Sequence, residues 1–366
     1  MLTAIVAIII FALLVSAHEF GHFITAKLSG MYVQEFSIGM GPLVFAKQIG
    51  ETKYSLRLLP LGGFVRVLGE DVEEEERSGI EVPQDIPAER RYQNRPVWQR
   101  IIFAAAGSFM NLVSAVVIFA LMFMVAGEAI PIENPGTTIS AVVENGPAHE
   151  AGMLPGDTIV KVDGIEVDTW AELTAVIGPA SVDRPMHVDV ERVDEDGLVM
   201  TIPMEIQPEL SEDGSKAMLG IYALTAERKA VGPIRGIALG AQATWETSVM
   251  MVDVLGDLFT GKINVMDEEE GLTGPVGIIR IIDESTQQGW LYVFNLAALL
   301  SINLGIINML PIPALDGSKV LLLLYEGLRG KPIAPEKEGF LNMIGFAFLM
   351  TLILVVTFKD VMNLFG

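Results

Sequence analysis

His18 and His22 are the residues of this chain best placed to do chemistry, and Glu19 stands between them. They occur in Ser16-Ala17-His18-Glu19-Phe20-Gly21-His22, an H-E-x-x-H sequence. On a helix, two histidines four positions apart lie one turn apart on the same face. Their imidazoles can share one tetrahedral metal ion, usually zinc, and the neighbouring glutamate can act as general base on an attacking water. The motif lies towards the end of an apolar run that begins at Leu2. Ionisable groups in such surroundings are costly and rarely idle. The plainer alternative is a helix end carrying two surface histidines.

The rest of the composition says what kind of protein must position this motif. The chain has 366 residues, of which 51% are hydrophobic and only 19% charged, with a mean hydropathy of +0.47. That is too apolar for an ordinary soluble protein and points to several membrane spans plus some soluble mass. A formal net charge of -22 argues against a nucleic-acid partner. Cysteine is absent, so a zinc site must use histidines and carboxylates. Besides the motif pair, only His149 and His187 exist, and both read as surface residues.

Four apolar segments are each about long enough to cross a bilayer core of roughly 30 Å. Residues 1–26 form the first span, which lacks the basic start and cleavage site of a signal peptide and is read as retained. The others are 101–126, 290–315 and 340–360. Basic residues crowd the 27–100 segment (Arg90, Arg91, Arg95 and Arg100 most densely) and recur in a loop at 316–339 as Lys319, Arg329, Lys331 and Lys337. Both segments are therefore expected to be cytoplasmic, with the motif near that face. The acidic 127–289 region and both termini are then expected outside.

Within the first cytoplasmic segment, residues 52–68 read as a β-hairpin turning at Pro60…Gly62-Gly63. Its apolar second arm suits a hairpin dipping into the membrane beside the motif, although a soluble hairpin is the alternative. Residues 70–95 turn acidic and polar and read as a solvated loop. Outside, 127–225 alternates short β-like runs (138–143, 158–162, 166–167, 187–193 and 198–204) with a helical stretch at 169–176. Its segment from Gly146-Pro147-Ala148 through Ala151-Gly152-Met153 and Gly156-Asp157 to Asp163-Gly164 resembles bacterial PDZ domains. That resemblance implies a small β-sandwich whose groove can take a peptide or C-terminus as an added strand. Residues 226–289 form an amphipathic region. Its 233–260 part is expected to lie on the membrane surface or to pack on the spans.

Two histidines leave a catalytic zinc site short of a ligand. The only charged residue at the cytoplasmic edge of the third span is Asp316, in Asn308-Met309-Leu310-Pro311-Ile312-Pro313-Ala314-Leu315-Asp316-Gly317-Ser318. Pro311 and Pro313 break the helix there, which is tolerated where a cavity or a bound strand satisfies the freed backbone. The four-span topology puts Asp316 on the same side as His18 and His22. A carboxylate that merely caps the span is the alternative.

Taken together, these motifs resemble the bacterial site-2 proteases of the RseP/RasP type, intramembrane zinc metalloproteases of peptidase family M50. The resemblance rests on His18-Glu19-Phe20-Gly21-His22, the Pro60-Leu61-Gly62-Gly63-Phe64-Val65 run, Gly107 and Asn111 in span two, the PDZ segment, and Asn308 to Gly317. It implies an α-helical polytopic membrane protein with four transmembrane helices, a membrane-associated β-hairpin and one extracytoplasmic PDZ domain. It further implies one Zn2+ per chain on His18, His22 and Asp316, with Glu19 as the base. Asn308, Asn111, Gly62, Gly63 and Phe64 are candidates for binding the substrate or the oxyanion. Expected partners are the lipid bilayer and single-span membrane substrates, such as anti-sigma factors or remnant signal peptides already cut outside the membrane. The PDZ domain would act as a size filter, and the location would be a bacterial plasma membrane. Two departures are visible: Ser108 follows Gly107, and Ser318 follows Gly317, where the family usually has proline and glycine. Neither removes a ligand or the base.

Two other functional classes fit parts of the sequence. A non-proteolytic scaffold would use the PDZ groove and spans alone, but need not keep Glu19 beside a complete ligand set. A zinc transporter would need polar residues along a path across the membrane, and spans two and four have almost none.

Overall fold

The computed structural model describes residues 2–70, 85–179, 182–194, 197–211, 215–263 and 272–363. The acidic stretch at 71–84 and the run Asp267–Glu270 lie outside the described residues. In chain order the first elements are α1 (Leu2–Leu28), β1 (Val33–Ile49), β2 (Thr52–Val67) and α2 (Val97–Ala126). Next come β3 (Glu128–Pro131), β4 (Ile139–Val142), α3 (Pro147–Glu150), β5 (Thr158–Val162), β6 (Ile165–Glu166) and α4 (Trp170–Ile177). Then follow β7 (Met186–Val193), β8 (Val199–Ile206), β9 (Glu209–Leu210), β10 (Ala217–Met218), β11 (Ile221–Ala223) and β12 (Ala226–Lys229). The chain ends with α5 (Pro233–Phe259), α6 (Pro275–Gln288), α7 (Trp290–Asn308), α8 (Asp316–Arg329) and α9 (Pro335–Met362). Two compact units result, Met1–Val125 with Gly232–Gly366, and Ala126–Val231.

In the first unit four helices are long and apolar enough to cross a membrane: Leu2–Leu28, Val97–Ala126, Trp290–Asn308 and Glu336–Met362. Their outward faces carry Leu13, Phe109, Leu354 and Phe358, each more than half exposed. A helix that is apolar all round suits a lipid surround, where its backbone groups are satisfied within the helix. Ala115 and Phe119 of α2 meet Ala298 and Ile302 of α7 in one buried cluster. The 27-residue α5 packs on this pair: Gly236 and Gly240 lie against Ala120, and Ala243 and Met251 border the cluster. The start of α6 is capped by Asp360 of α9, which accepts from the Gly274 and Gly277 amides at 3.3 and 2.8 Å, an arrangement favoured at a helix N-terminus.

The predicted hairpin within 52–68 is corrected. Its two arms do not pair with each other, because residues 35–38 run between them. Phe36 stands opposite both Val65 and Tyr54, and Ile38 opposite both Gly63 and Leu56. The pairs with 52–57 step along in the same direction, as in a parallel ladder; those with 63–67 step oppositely. Residues 43–49 then pair outside 52–57 and turn through Gly50 and Glu51. A local reading sees only the nearest turn, whereas the central strand comes from residues before it. Glu35 locks this centre. Although 1% exposed, it accepts from Ser55 Oγ at 2.6 Å, Arg57 at 2.8 Å and Arg66 at 3.3 Å. Phe64 sits with the Arg57 and Arg66 guanidinium groups 5.0 and 5.1 Å from its ring. The sheet is anchored on α1, where Phe23 meets Phe36 and Tyr54, while Val44, Phe45, Leu58 and Leu59 remain exposed at its far end.

Two further expectations change. The third span stops at Asn308, not 315. Met309 and Leu310 close the helix by bonding to Ile306 and Ile307, and proline at 311 cannot continue it. The expected loop at 316–339 opens instead with α8, held by a bidentate ion pair between Arg100 of α2 and Glu326 at 2.6 and 3.1 Å.

The second unit is built around the four-stranded sheet β6-β5-β7-β8. Alternation along β7 buries Met186, Val188 and Val190 against Ile159, Val162 and Leu173. Helix α4 starts from a capping box between Thr169 and Glu172. Strand β4 pairs with β11, and β3 with β12. His149 and His187 are both exposed here.

Candidate metal centre

Helix α1 positions His18 and His22 on one face, each 8% exposed. Their Nε2 atoms stand 3.2 Å apart. The break at Pro311–Pro313 lets α8 begin at Asp316, so this carboxylate projects from the first turn of a helix. Its Oδ2 lies 3.2 Å from His18 Nε2 and 3.4 Å from His22 Nε2, yet it has no hydrogen-bond partner. The three atoms thus form a nearly equilateral triangle. A tetrahedral ion with ligand bonds of about 2.0–2.1 Å holds its ligand atoms about 3.3 Å apart. Three donors of the right type at that spacing, with one buried oxygen otherwise orphaned, fit a single zinc ion. Among the described residues this is the one His/Cys/Asp/Glu group that meets such a spacing.

Helix α2 closes the site from the opposite side through positions 103, 107 and 111, which lie on one helix face. The Phe103 carbonyl is 2.8 Å from His22 Nδ1. At Gly107 only hydrogen fits, because a Cβ there would stand 2.3 Å from His22 Nε2. Asn111, fully buried, sets its side-chain amide 3.1 Å from His18 Nδ1. Two of these three residues are visible in the sequence as a glycine and an asparagine four apart. The Phe103 carbonyl has no sequence signal, since any residue supplies a carbonyl.

Glu19 follows His18 on α1 and meets the sheet at Gly63, where an added Cβ would stand 3.0 Å from its Cγ. Gly62 packs on Met40, and Phe64 is the next residue along the same strand. Residues 62–64 therefore run directly past the proposed base. Asn308 is the last helical residue of α7 and is half-buried. Between β2 and α8 lies a cavity of about 770 Å³, lined by Phe64, Val67, Tyr92, Lys319 and Glu326 among others. Burial pushes the Tyr92 phenol up to about 12, so it stays neutral there. Lys319 spans to Glu70 just beyond β2. Burial alone would lower its pKa, but Glu70 outweighs this and keeps the ammonium charged.

The sequence profile described as Peptidase family M50 matches residues 6–352. The chain belongs to peptidase family M50. Among its relatives, the regulator of sigma-W protease RasP of Bacillus subtilis is 34% identical, with 99% of each chain covered. The zinc metalloprotease RasP of Bacillus licheniformis is 33% identical at the same coverage. A PDZ domain of an SdrC-like protein from Listeria monocytogenes overlays 26% of this peptidase and 94% of its own chain, at 18% identity and a TM-score of 0.22. Family and relatives make this M50 peptidase a zinc metalloprotease, and its four apolar helices make it a multi-pass membrane protein.

Proposed function

We propose that this peptidase hydrolyses a peptide bond of a single-span substrate within the membrane, with zinc held by His18, His22 and Asp316. The observation that carries the reading is the triangle of Nε2, Nε2 and Oδ2 with edges of 3.2, 3.2 and 3.4 Å. Bound zinc would supply Lewis acidity to the scissile carbonyl and to the attacking water. Glu19 takes the proton from that water and delivers it to the leaving amine. A helical substrate hides its peptide bonds and must unwind, leaving backbone groups that need partners. The 63–67 strand offers them by strand addition, beginning beside Glu19 at Gly63. Asn308 is a candidate donor to the oxyanion. Exposed Val44, Phe45, Leu58 and Leu59 support a sheet tip that dips into lipid.

The 126–231 unit reads as a PDZ domain that lies outside the membrane and admits substrates already shortened there. By analogy with the relative described as the regulator of sigma-W protease RasP, the substrate class is a trimmed anti-sigma factor, with remnant signal peptides as the second candidate. The metal site lies near the cytoplasmic face of a bacterial membrane, a sidedness supported by the basic connections on that side.

Purified protein in detergent, mixed with a single-span substrate, tests this. Cleavage is expected from the wild type, lost on chelation and restored by zinc, and absent from Glu19→Gln. Undiminished cleavage by Glu19→Gln would remove Glu19 from the chemistry. Zinc binding without cleavage of any membrane substrate would favour a scaffold.

A further inference from the structure

We infer that Asn111 is the positioning residue for His18, accepting the Nδ1 proton of that imidazole and so holding Nε2 towards the metal. The inference rests on the zinc reading above. An imidazole that offers Nε2 to a metal carries its proton on Nδ1, and that N–H needs an acceptor to fix the ring. His22 has one in the Phe103 carbonyl at 2.8 Å. For His18 the corresponding place is taken by the Asn111 amide, 3.1 Å from Nδ1. As placed, Nδ2 faces the ring and Oδ1 is buried without a partner. Exchanging the two, which have the same shape, turns Oδ1 towards Nδ1–H. The residue cannot swing away easily. Ser301 of α7 donates to its backbone carbonyl at 2.8 Å, and Gly305 faces it so closely that a Cβ added there would stand 3.3 Å from the Asn111 Cβ.

This use of the amide competes with a role in binding substrate, which the residue's type alone also allows. An asparagine here supplies an acceptor without adding a charge, so the site keeps one ligand carboxylate and one base. The same helix face thereby orients both imidazoles, through a carbonyl at one end and an amide at the other.

The test uses the full chain in detergent, loaded with zinc and challenged with a competing chelator, and loaded with Co2+ for its visible absorption. Asn111→Leu removes the acceptor at similar size and is expected to weaken zinc binding by about 10–100-fold. It should also shift the cobalt bands. Asn111→Asp keeps an acceptor and is expected to escape that roughly 10–100-fold loss. Wild-type zinc affinity in Asn111→Leu, with cleavage lost, would overturn the inference and return Asn111 to the substrate. Equal loss of zinc in both variants would overturn it too, since the aspartate preserves the acceptor. A wild type that binds no stoichiometric zinc sinks the zinc reading itself, and this inference with it.

Discussion

Gly107 and His22 are in such close register that the backbone of one helix forms a wall of the candidate metal centre on another. A Cβ at 107 would stand 2.3 Å from His22 Nε2 and 2.6 Å from His18 Nε2, where no real side-chain atom can sit. Gly107→Ala is therefore expected to cut zinc affinity by about 100-fold or more while the helix itself gains propensity. Metal content after dialysis, read beside circular dichroism, checks both halves. Full zinc occupancy in a folded Gly107→Ala protein would show that the two helices can part without cost.

Gly345 of α9 plays the same part for the Pro311–Pro313 break. A Cβ there would stand 2.0 Å from the Pro313 carbonyl oxygen. Gly345→Leu must push that segment away, and the segment leads directly into Asp316. Overpacking of this kind costs about 1–3 kcal/mol. The expected result is a lower Tm together with weaker zinc binding. A lower Tm with unchanged zinc affinity would uncouple the break from the ligand.

Lys319 and Glu70 tie the Asp316 helix to the end of the strand that passes Glu19. Removing either partner alone leaves a shielded charge uncompensated, at a cost of about 2–3 kcal/mol. Lys319→Met is expected to lower Tm and cleavage, and the Glu70→Gln, Lys319→Met pair to recover most of the loss. A double-mutant cycle on Tm measures the coupling, and additive losses would mean that the two do not interact.

Asp157 and Arg192 give the 126–231 unit its pH signature. Burial would push the Asp157 carboxyl up, but Arg192 at 2.7 Å and the Leu154 amide at 2.9 Å outweigh it and hold the pKa low. A carboxyl with a depressed folded pKa adds stability above its unfolded value, near about 3.9, and loses it as pH falls through the folded value. Asp157→Asn is expected to cost about 2–3 kcal/mol at pH 7, and the gap to the wild type to close below about pH 4. Limited proteolysis of the unit across pH reads this out; a gap constant down to pH 3 would contradict it.

How much of this was legible beforehand depended on the range of the signal. His18, Glu19 and His22 are one helical turn, so spacing alone brings them together. The spans show as apolar runs, but the apolar run alone carries the third to 315, past Pro311 and Pro313, whereas the helix ends at Asn308. Asp316 was reachable because a lone charge at a broken span demands a reason. The order of strands in 33–67 was not reachable, because hairpin rules look at neighbours and residues 35–38 insert from outside the turn. Helix α8 escaped because Lys319 to Leu328 is too short and too charged to read as a span, and its anchor, Arg100, lies more than two hundred residues earlier. The direction of the Asn111 side chain was invisible for a simpler reason: an amide in a sequence does not say what it faces.

About three hundred residues separate His22 from Asp316. Chains emerge from the N-terminus and fold in segments as they do so. Throughout most of synthesis the newborn chain holds two imidazoles and a glutamate but lacks the carboxylate that completes them. On the zinc reading proposed above, the ligand set is therefore split between the first and last parts of the chain to be made, and it closes only once α8 has followed the third span.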